Sequence, residues 1–217
     1  MTGARKPLHL VKRTRATVAF QPNVQALLPY NRNRYQHYLG SDVDSHTPWY
    51  GVSFQLASEA HNISRGINFG LTKFIENYEA LFKQVVSTFD DGSFWIVMHD
   101  KCDDWWLPNE EQTLPALRAL FAQYQVLNRF KGALLLKKQE VFTFARELLS
   151  YPTGIFGRKR SLYSDVDVSH STLPFIIKIS SHLNVDFLST NQALLREVVK
   201  DHRSHVFTIK SYTGTSL

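Results

Sequence analysis

INFGLTKFIENYEALFKQVVSTF, residues Ile67–Phe89, decides how this chain folds. Leu71, Phe74, Ile75, Tyr78, Leu81, Phe82, Val85, Val86 and Phe89 recur at i, i+3, i+4, i+7 spacing, the repeat of one helix face. Lys73, Glu76, Asn77, Lys83 and Gln84 fall on the other face. So broad an apolar stripe needs a wide apolar partner, most simply a sheet. Asp90-Asp91-Gly92 ends the helix.

Strand patterns surround it. Phe94–Met98 is apolar throughout, and Ser93–Met98 is expected as a buried strand. Residues 49–57 alternate Tyr50, Val52, Phe54 and Leu56 against Gly51, Ser53 and Gln55. Leu8–Val11, Ala16–Phe20, Lys131–Leu136, Phe175–Ile179, Val185–Leu188 and His205–Tyr212 are further expected strands, and Leu162–Val168 is expected as an edge strand. Helices are predicted from Asn109 or Thr113 to about Gln125, over Gln139–Leu149, and from a Ser189-x-x-Gln192 capping box to about Lys200. Tyr151–Arg160 is expected as an exposed basic loop. The fold class predicted is α/β or α+β, a mixed, largely antiparallel sheet packed by about four helices. Residues 1–48 form a basic, loop-rich segment with one or two short strands, and residues 49–217 one globular domain.

A chain of 217 residues with 43% apolar and 13% aromatic content can fill a sizeable core. The single cysteine, Cys102, precludes an internal disulfide and points to a reducing, cytoplasmic setting. No apolar stretch is long enough to span a bilayer, and the apolar run after the basic N-terminus is too short for a secretory signal.

Charge is distributed unevenly. Residues 1–38 hold Arg5, Lys6, Lys12, Arg13, Arg15, Arg32 and Arg34 and no acid. Setting those seven aside leaves 18 basic against 19 acidic residues in the rest of the chain. The opposing half lies at 90–111, where Asp90, Asp91, Asp100, Asp103, Asp104, Glu110 and Glu111 face only Lys101. Trp105 and Trp106 sit inside that acidic stretch. Trp flanked by charge is a typical interface anchor, and carboxylates can stand in for phosphates at a cationic surface. The plainer reading of the same stretch is a solvated acidic loop.

Other clusters point to chemistry less strongly. His99, Asp103 and Asp104 are possible metal ligands by residue type, but lack a second acid set at nuclease spacing. Acidic surroundings raise the pKa of Cys102 and argue against a thiolate nucleophile. His202-x-x-His205 has no cysteine partner for a structural zinc. Asp165-x-Asp167 fits a solvent-facing edge strand. Ser180-Ser181-His182 lacks nucleophile-elbow glycines and is expected as a turn. There is no Walker or Rossmann glycine pattern. No catalytic residue, metal site or cofactor is assigned.

The aromatic-rich helices, the compact body and the lack of a catalytic motif resemble, in general texture, small α/β proteins of bacterial accessory gene clusters, immunity proteins among them. The function expected is a non-enzymatic, immunity-type interaction protein that occludes a cationic site on a bacterial toxin. Asp100, Asp103, Asp104, Trp105, Trp106, Glu110 and Glu111 would form the partner surface. One alternative is a nucleic-acid-binding protein using Lys12, Arg13, Arg15, Arg32, Arg34, Arg158, Lys159 and Arg160. Another is a metal-dependent hydrolase or nuclease, with acids drawn from Asp100, Asp165, Asp167 and Asp186. The expected partner is another protein; nucleic acid and self-association remain open, and no membrane is expected.

Overall fold

A computed structural model of the chain describes residues 9–12, 50–57, 67–99, 114–123, 132–154, 165–212 and 214–217. Its strands are β1 (His9–Lys12), β2 (Tyr50–Leu56), β3 (Trp95–His99), β4 (Gly132–Leu136), β5 (Val166–His170), β6 (Phe175–Ile179), β7 (Asn184–Ser189) and β8 (Phe207–Ser211). The helices are α1 (Ile67–Thr88), α2 (Pro115–Gln123), α3 (Lys138–Thr143), α4 (Ala145–Gly154) and α5 (Gln192–His202). Among the described residues the eight strands form one sheet, ordered β1-β4-β3-β5-β6-β7-β2-β8. Every pairing in it is antiparallel. The fold is α+β, as expected, with no parallel pair among the described residues.

The five helices share one face of the sheet. Val52, Phe54, Trp95, Val97, Leu134, Val168, Ile177 and Phe187 point there. Phe74, Tyr78, Phe82, Val85 and Val86 of α1 meet them with Leu117, Phe121, Val141, Leu148, Leu195 and Val198 from the other helices. The stripe of α1 is buried from Phe74 to Val86 as its spacing requires, with Ile75 partly so. Tyr78 can enter this core because its hydroxyl donates to the Phe54 carbonyl at 2.6 Å, so no polar group is stranded. Glu79, on the outer side of α1, pairs with Lys83 at 2.7 Å and with Arg146 of α4 at 2.8 Å. None of the described helices is long and apolar enough to cross a membrane.

Several expected boundaries move. β5 is an inner strand, not an edge, and continues through Ser169 and His170. The helix expected over Gln139–Leu149 breaks at Phe144 and resumes as α4 through Tyr151 and Pro152, both buried. Residues 151–154 are therefore helix rather than loop, because Tyr151 has core to fill. The cap of α5 is Asn191, whose side chain accepts from the Ala193 N–H at 3.0 Å. Ser189 instead ends β7, donating to the Pro174 carbonyl and accepting from the Asn191 N–H. The strand expected at Ala16–Phe20 lies outside the described residues.

Candidate functional site

The antiparallel order fixes which chain segments meet. β3 ends at His99, which pairs with Val166 at the start of β5. β1 ends at Lys12, which pairs with Gly132 at the start of β4. These four strands are consecutive in the sheet, so the ends of β1 and β3 and the starts of β4 and β5 lie at one end of it. The acidic segment begins at Asp100, directly after His99. It leaves the sheet between the strands that follow Arg129 and Lys131 on one side and Arg158, Lys159 and Arg160 on the other. Adjacent strands are about 4.8 Å apart, and charges interact over roughly 8 Å at physiological salt. The point where the acidic segment leaves β3 is thus one strand spacing from the starts of β4 and β5, and two spacings, about 10 Å, from the end of β1.

Asp100, Asp103, Asp104, Trp105, Trp106, Glu110 and Glu111 lie outside the described residues, as do Arg13, Arg15, Arg32, Arg34, Arg158, Lys159 and Arg160. Of the predicted binding residues only Lys12 is placed, as the last residue of β1.

The acids of the hydrolase alternative can be followed further. Asp165, Asp167 and Asp186 share the sheet face opposite the helices, joined there by Lys178. The register sets Met98, Asp167, Lys178, Asp186, Ser53 and Lys210 side by side across six strands. Lys178 Nζ lies 2.9 Å from Asp165 Oδ2 and 3.9 Å from Asp167 Oδ1. Asp165 Oδ1 also accepts from the Ser181 N–H at 2.8 Å. Burial pushes the Asp165 carboxyl up, but the Lys178 charge and the Ser181 donors together outweigh burial and hold it below its ordinary value. Asp186 accepts from Asn184 Nδ2 at 2.6 Å and from the Tyr212 hydroxyl at 2.7 Å.

This is an ion-pair and hydrogen-bond row rather than a metal site. Lys178 separates Asp167 from Asp186, whose strands are two spacings or about 10 Å apart. One cation at ordinary oxygen distances of about 2–2.6 Å cannot bridge that gap. Among the described residues no three His, Cys, Asp or Glu side chains are grouped as a metal would require. Asp165 and Asp167 face the same way, as expected, but on a buried inner strand rather than a solvent-facing edge. Asp100, the fourth acid of that pool, lies outside the described residues.

No family model, no curated protein and no solved structure matches this chain.

Apolar residues flank the row. Ile96, Met98, Ala133, Ile176 and Leu188 form a second, smaller buried cluster, with Tyr212 packed against it. Tyr212 crosses β2 at Gly51, where an added Cβ would come within 2.6 Å of both Leu188 Cδ2 and Tyr212 Cδ2. Gly51 is required here for close approach, and through it Tyr212 reaches Asp186. Gly51→Val is expected to lift Tyr212 off Asp186 and cost about 1–3 kcal/mol in urea unfolding, with Gly51→Ala costing less.

Ser180-Ser181-His182 forms the β6–β7 turn, as expected. Ser180 N–H donates to the Asn184 carbonyl, Ser180 Oγ accepts from the His182 N–H, and Leu183 has φ 61°. His202 lies at the end of α5, where burial pulls its imidazole below the ordinary value although Asp201 opposes this. His205 is exposed in the following turn.

His170 is not among the residues expected from the sequence. It is 2% exposed at the end of β5, on the helix side of the sheet. Its mark in the sequence is a histidine closing a hydrophobic alternation just before Ser171-Thr172, two residues beyond the strand end expected at Val168.

Proposed function

We propose that this chain is a non-enzymatic interaction protein of the immunity type, acting in the bacterial cytoplasm. Its acidic segment would dock into the cationic, polyanion-binding site of a toxin. The observation supporting this is the mounting of that segment. It continues from β3, an inner strand whose Trp95, Ile96, Val97 and Met98 are all buried. A binding segment anchored on a rigid strand loses less freedom on association. Asp100, Asp103, Asp104, Glu110 and Glu111 supply the negative charge, and Trp105 or Trp106 the buried anchor. The single cysteine, Cys102, fits a reducing compartment.

Asp103→Lys and Asp104→Lys combined with Trp105→Ala and Trp106→Ala test the reading. The variant is expected to lose the partner co-purified by wild type, with at least a thirtyfold weaker affinity from the Trp losses alone. Recovery of the same partner at wild-type yield, from a variant with unchanged circular dichroism, sinks the proposal.

A second reading is supported by the basic segments that join the same end of the sheet. It assigns single-stranded nucleic acid to Lys12, Arg13, Arg15, Arg32, Arg34, Arg158, Lys159 and Arg160. Deleting residues 1–38 would remove β1 from the sheet along with the charge, so serine substitutions are the cleaner probe. This reading requires binding that weakens steeply with salt and is lost in the serine variant. Absence of binding at low salt ends it.

A further inference from the structure

His170 joins two turns at the end of the sheet opposite His99, where Asp90 and Asp91, the first two acids of the 90–111 stretch, lie apart from the point at which residues 100–111 begin. Its Nδ1 accepts from the Thr172 N–H at 3.3 Å and the Leu173 N–H at 3.0 Å, and lies 3.2 Å from Thr172 Oγ1. A ring nitrogen accepting from backbone amides carries a lone pair, so the proton of the neutral ring is on Nε2. Nε2 lies 3.5 Å from Asp91 Oδ1 in the α1–β3 turn, and the Phe89 carbonyl favours its proton. Thr172 Oγ1 donates to Asp91 Oδ2 at 2.9 Å, and the Phe94 N–H donates to Ser171 Oγ at 3.1 Å. The Trp95 ring meets the imidazole edge-on at 4.8 Å between centroids.

This arrangement also excludes a triad. The imidazole lone pair serves backbone amides, and the Thr172 hydroxyl proton serves Asp91. Neither is free to activate a nucleophile.

We propose that His170 is an acid-sensitive clasp: a proton arriving at Nδ1 faces two amide hydrogens and opens the β5–β6 turn at Thr172 and Leu173, while the rest of the sheet stays closed.

The surrounding charges determine how the clasp responds. Asp90 and Asp91 lie in the α1–β3 turn. Asp90 is engaged by Lys138 at 2.8 Å, and Lys137 donates to the Gly92 carbonyl. Glu140 accepts from the Lys137 N–H at 2.8 Å. The residues of the hairpin turn, Ser171–Pro174, carry no charge, and α4 and β3 bring Tyr151 and Trp95 to the same core. Asp91, and more weakly Asp90, are the carboxylates that favour a charged ring. Burial opposes them and wins, so the His170 pKa is held below 6.5. A depressed histidine stabilises the closed form above the unfolded value of about 6.5 and loses that stabilisation as pH falls through the lower folded value.

Amide protection factors measured by NMR between pH 7.5 and 5, corrected for intrinsic exchange, test the clasp. In wild type, protection at Thr172 and Leu173 should fall by up to about tenfold per pH unit below 6.5, while Val168 and Ile177 stay constant. His170→Asn places a carboxamide oxygen where Nδ1 stands and does not titrate, so its protection should not change with pH. The proposal is overturned if wild-type protection is flat, if the Asn variant falls equally, or if all amides fall together. Should His170→Asn fail to fold, ring-nitrogen shifts of wild-type His170 decide: they must show the Nε2–H form at pH 7.5 and a protonation midpoint that coincides with the loss of protection.

Discussion

Lys178→Met is expected to destabilise the protein by about 3 kcal/mol, the largest effect of any single charge among the described residues. Lys178 is 21% exposed, against 16% for Asp165 and 6% for Asp167. Without the ammonium, two nearly buried carboxylates face each other across a low-dielectric surface. Removing one member of a buried pair costs more than the pair was worth, because the survivor keeps its desolvation cost. The residual exposure of Lys178 puts the figure at the low end of the usual roughly 3–5 kcal/mol. Adding Asp165→Asn and Asp167→Asn should recover most of the loss. The pH dependence provides a second readout. In wild type the depressed Asp165 contributes stability above its ordinary value of 3.8, lost as pH falls through its lower folded value. In Lys178→Met only burial and the Ser181 donors remain, so mild acidification should stabilise. Urea unfolding at pH 7 and pH 4.5 checks the sign. An unchanged midpoint in Lys178→Met would show that the row carries no net electrostatic load.

Phe187→Ala should cost about 4 kcal/mol. Phe187 is fully buried on β7, edge-on to Phe54 at 5.2 Å and stacked on Phe175 at 6.2 Å. Phe175 in turn meets Phe89 at 4.5 Å, and Phe54 meets Phe207 at 5.7 Å. The ring therefore links β2, β6, β8 and the turn that follows α1 through aromatic contacts. Flanking strands hold their positions by backbone hydrogen bonds and cannot collapse into the space left by truncation. Phe187→Leu should recover more than half. A loss below about 1.5 kcal/mol for the alanine variant, with an unchanged denaturant slope, would mean that the core relaxes where this packing says it cannot.

How much of this could be foreseen depended on how local each determinant is. Helix α1 was foreseen within a residue because its nine apolar positions all obey one period. The cap of α5 was misassigned because Ser189 and Asn191 are both capping residues. Only the tertiary acceptor at Pro174 decides which one is used. The break at Phe144 leaves no mark on a periodic pattern. Strand order was not foreseeable, because pairs such as His9 with Leu135 follow from the packing of the whole sheet. For the candidate site, the charge of each segment was plain in the sequence. That the acidic segment leaves between two basic ones was not, since it depends on β4 and β5 flanking β3. The inward turn of Asp165 and Asp167 was missed for the same reason, as an edge strand and an inner strand share one alternation.

The position of β2 has a bearing on how this chain is made. β2 lies between β7 and β8, and its Gln55 pairs with Asn184, its Tyr50 with Ser189. A ribosome must therefore add about 130 residues after β2 before its first neighbour exists. At roughly 5–20 residues per second, Val52, Phe54 and Leu56 wait about 7–26 s without their strand partners during each round of translation. During that interval a holdase or an early collapse onto α1 must shield them.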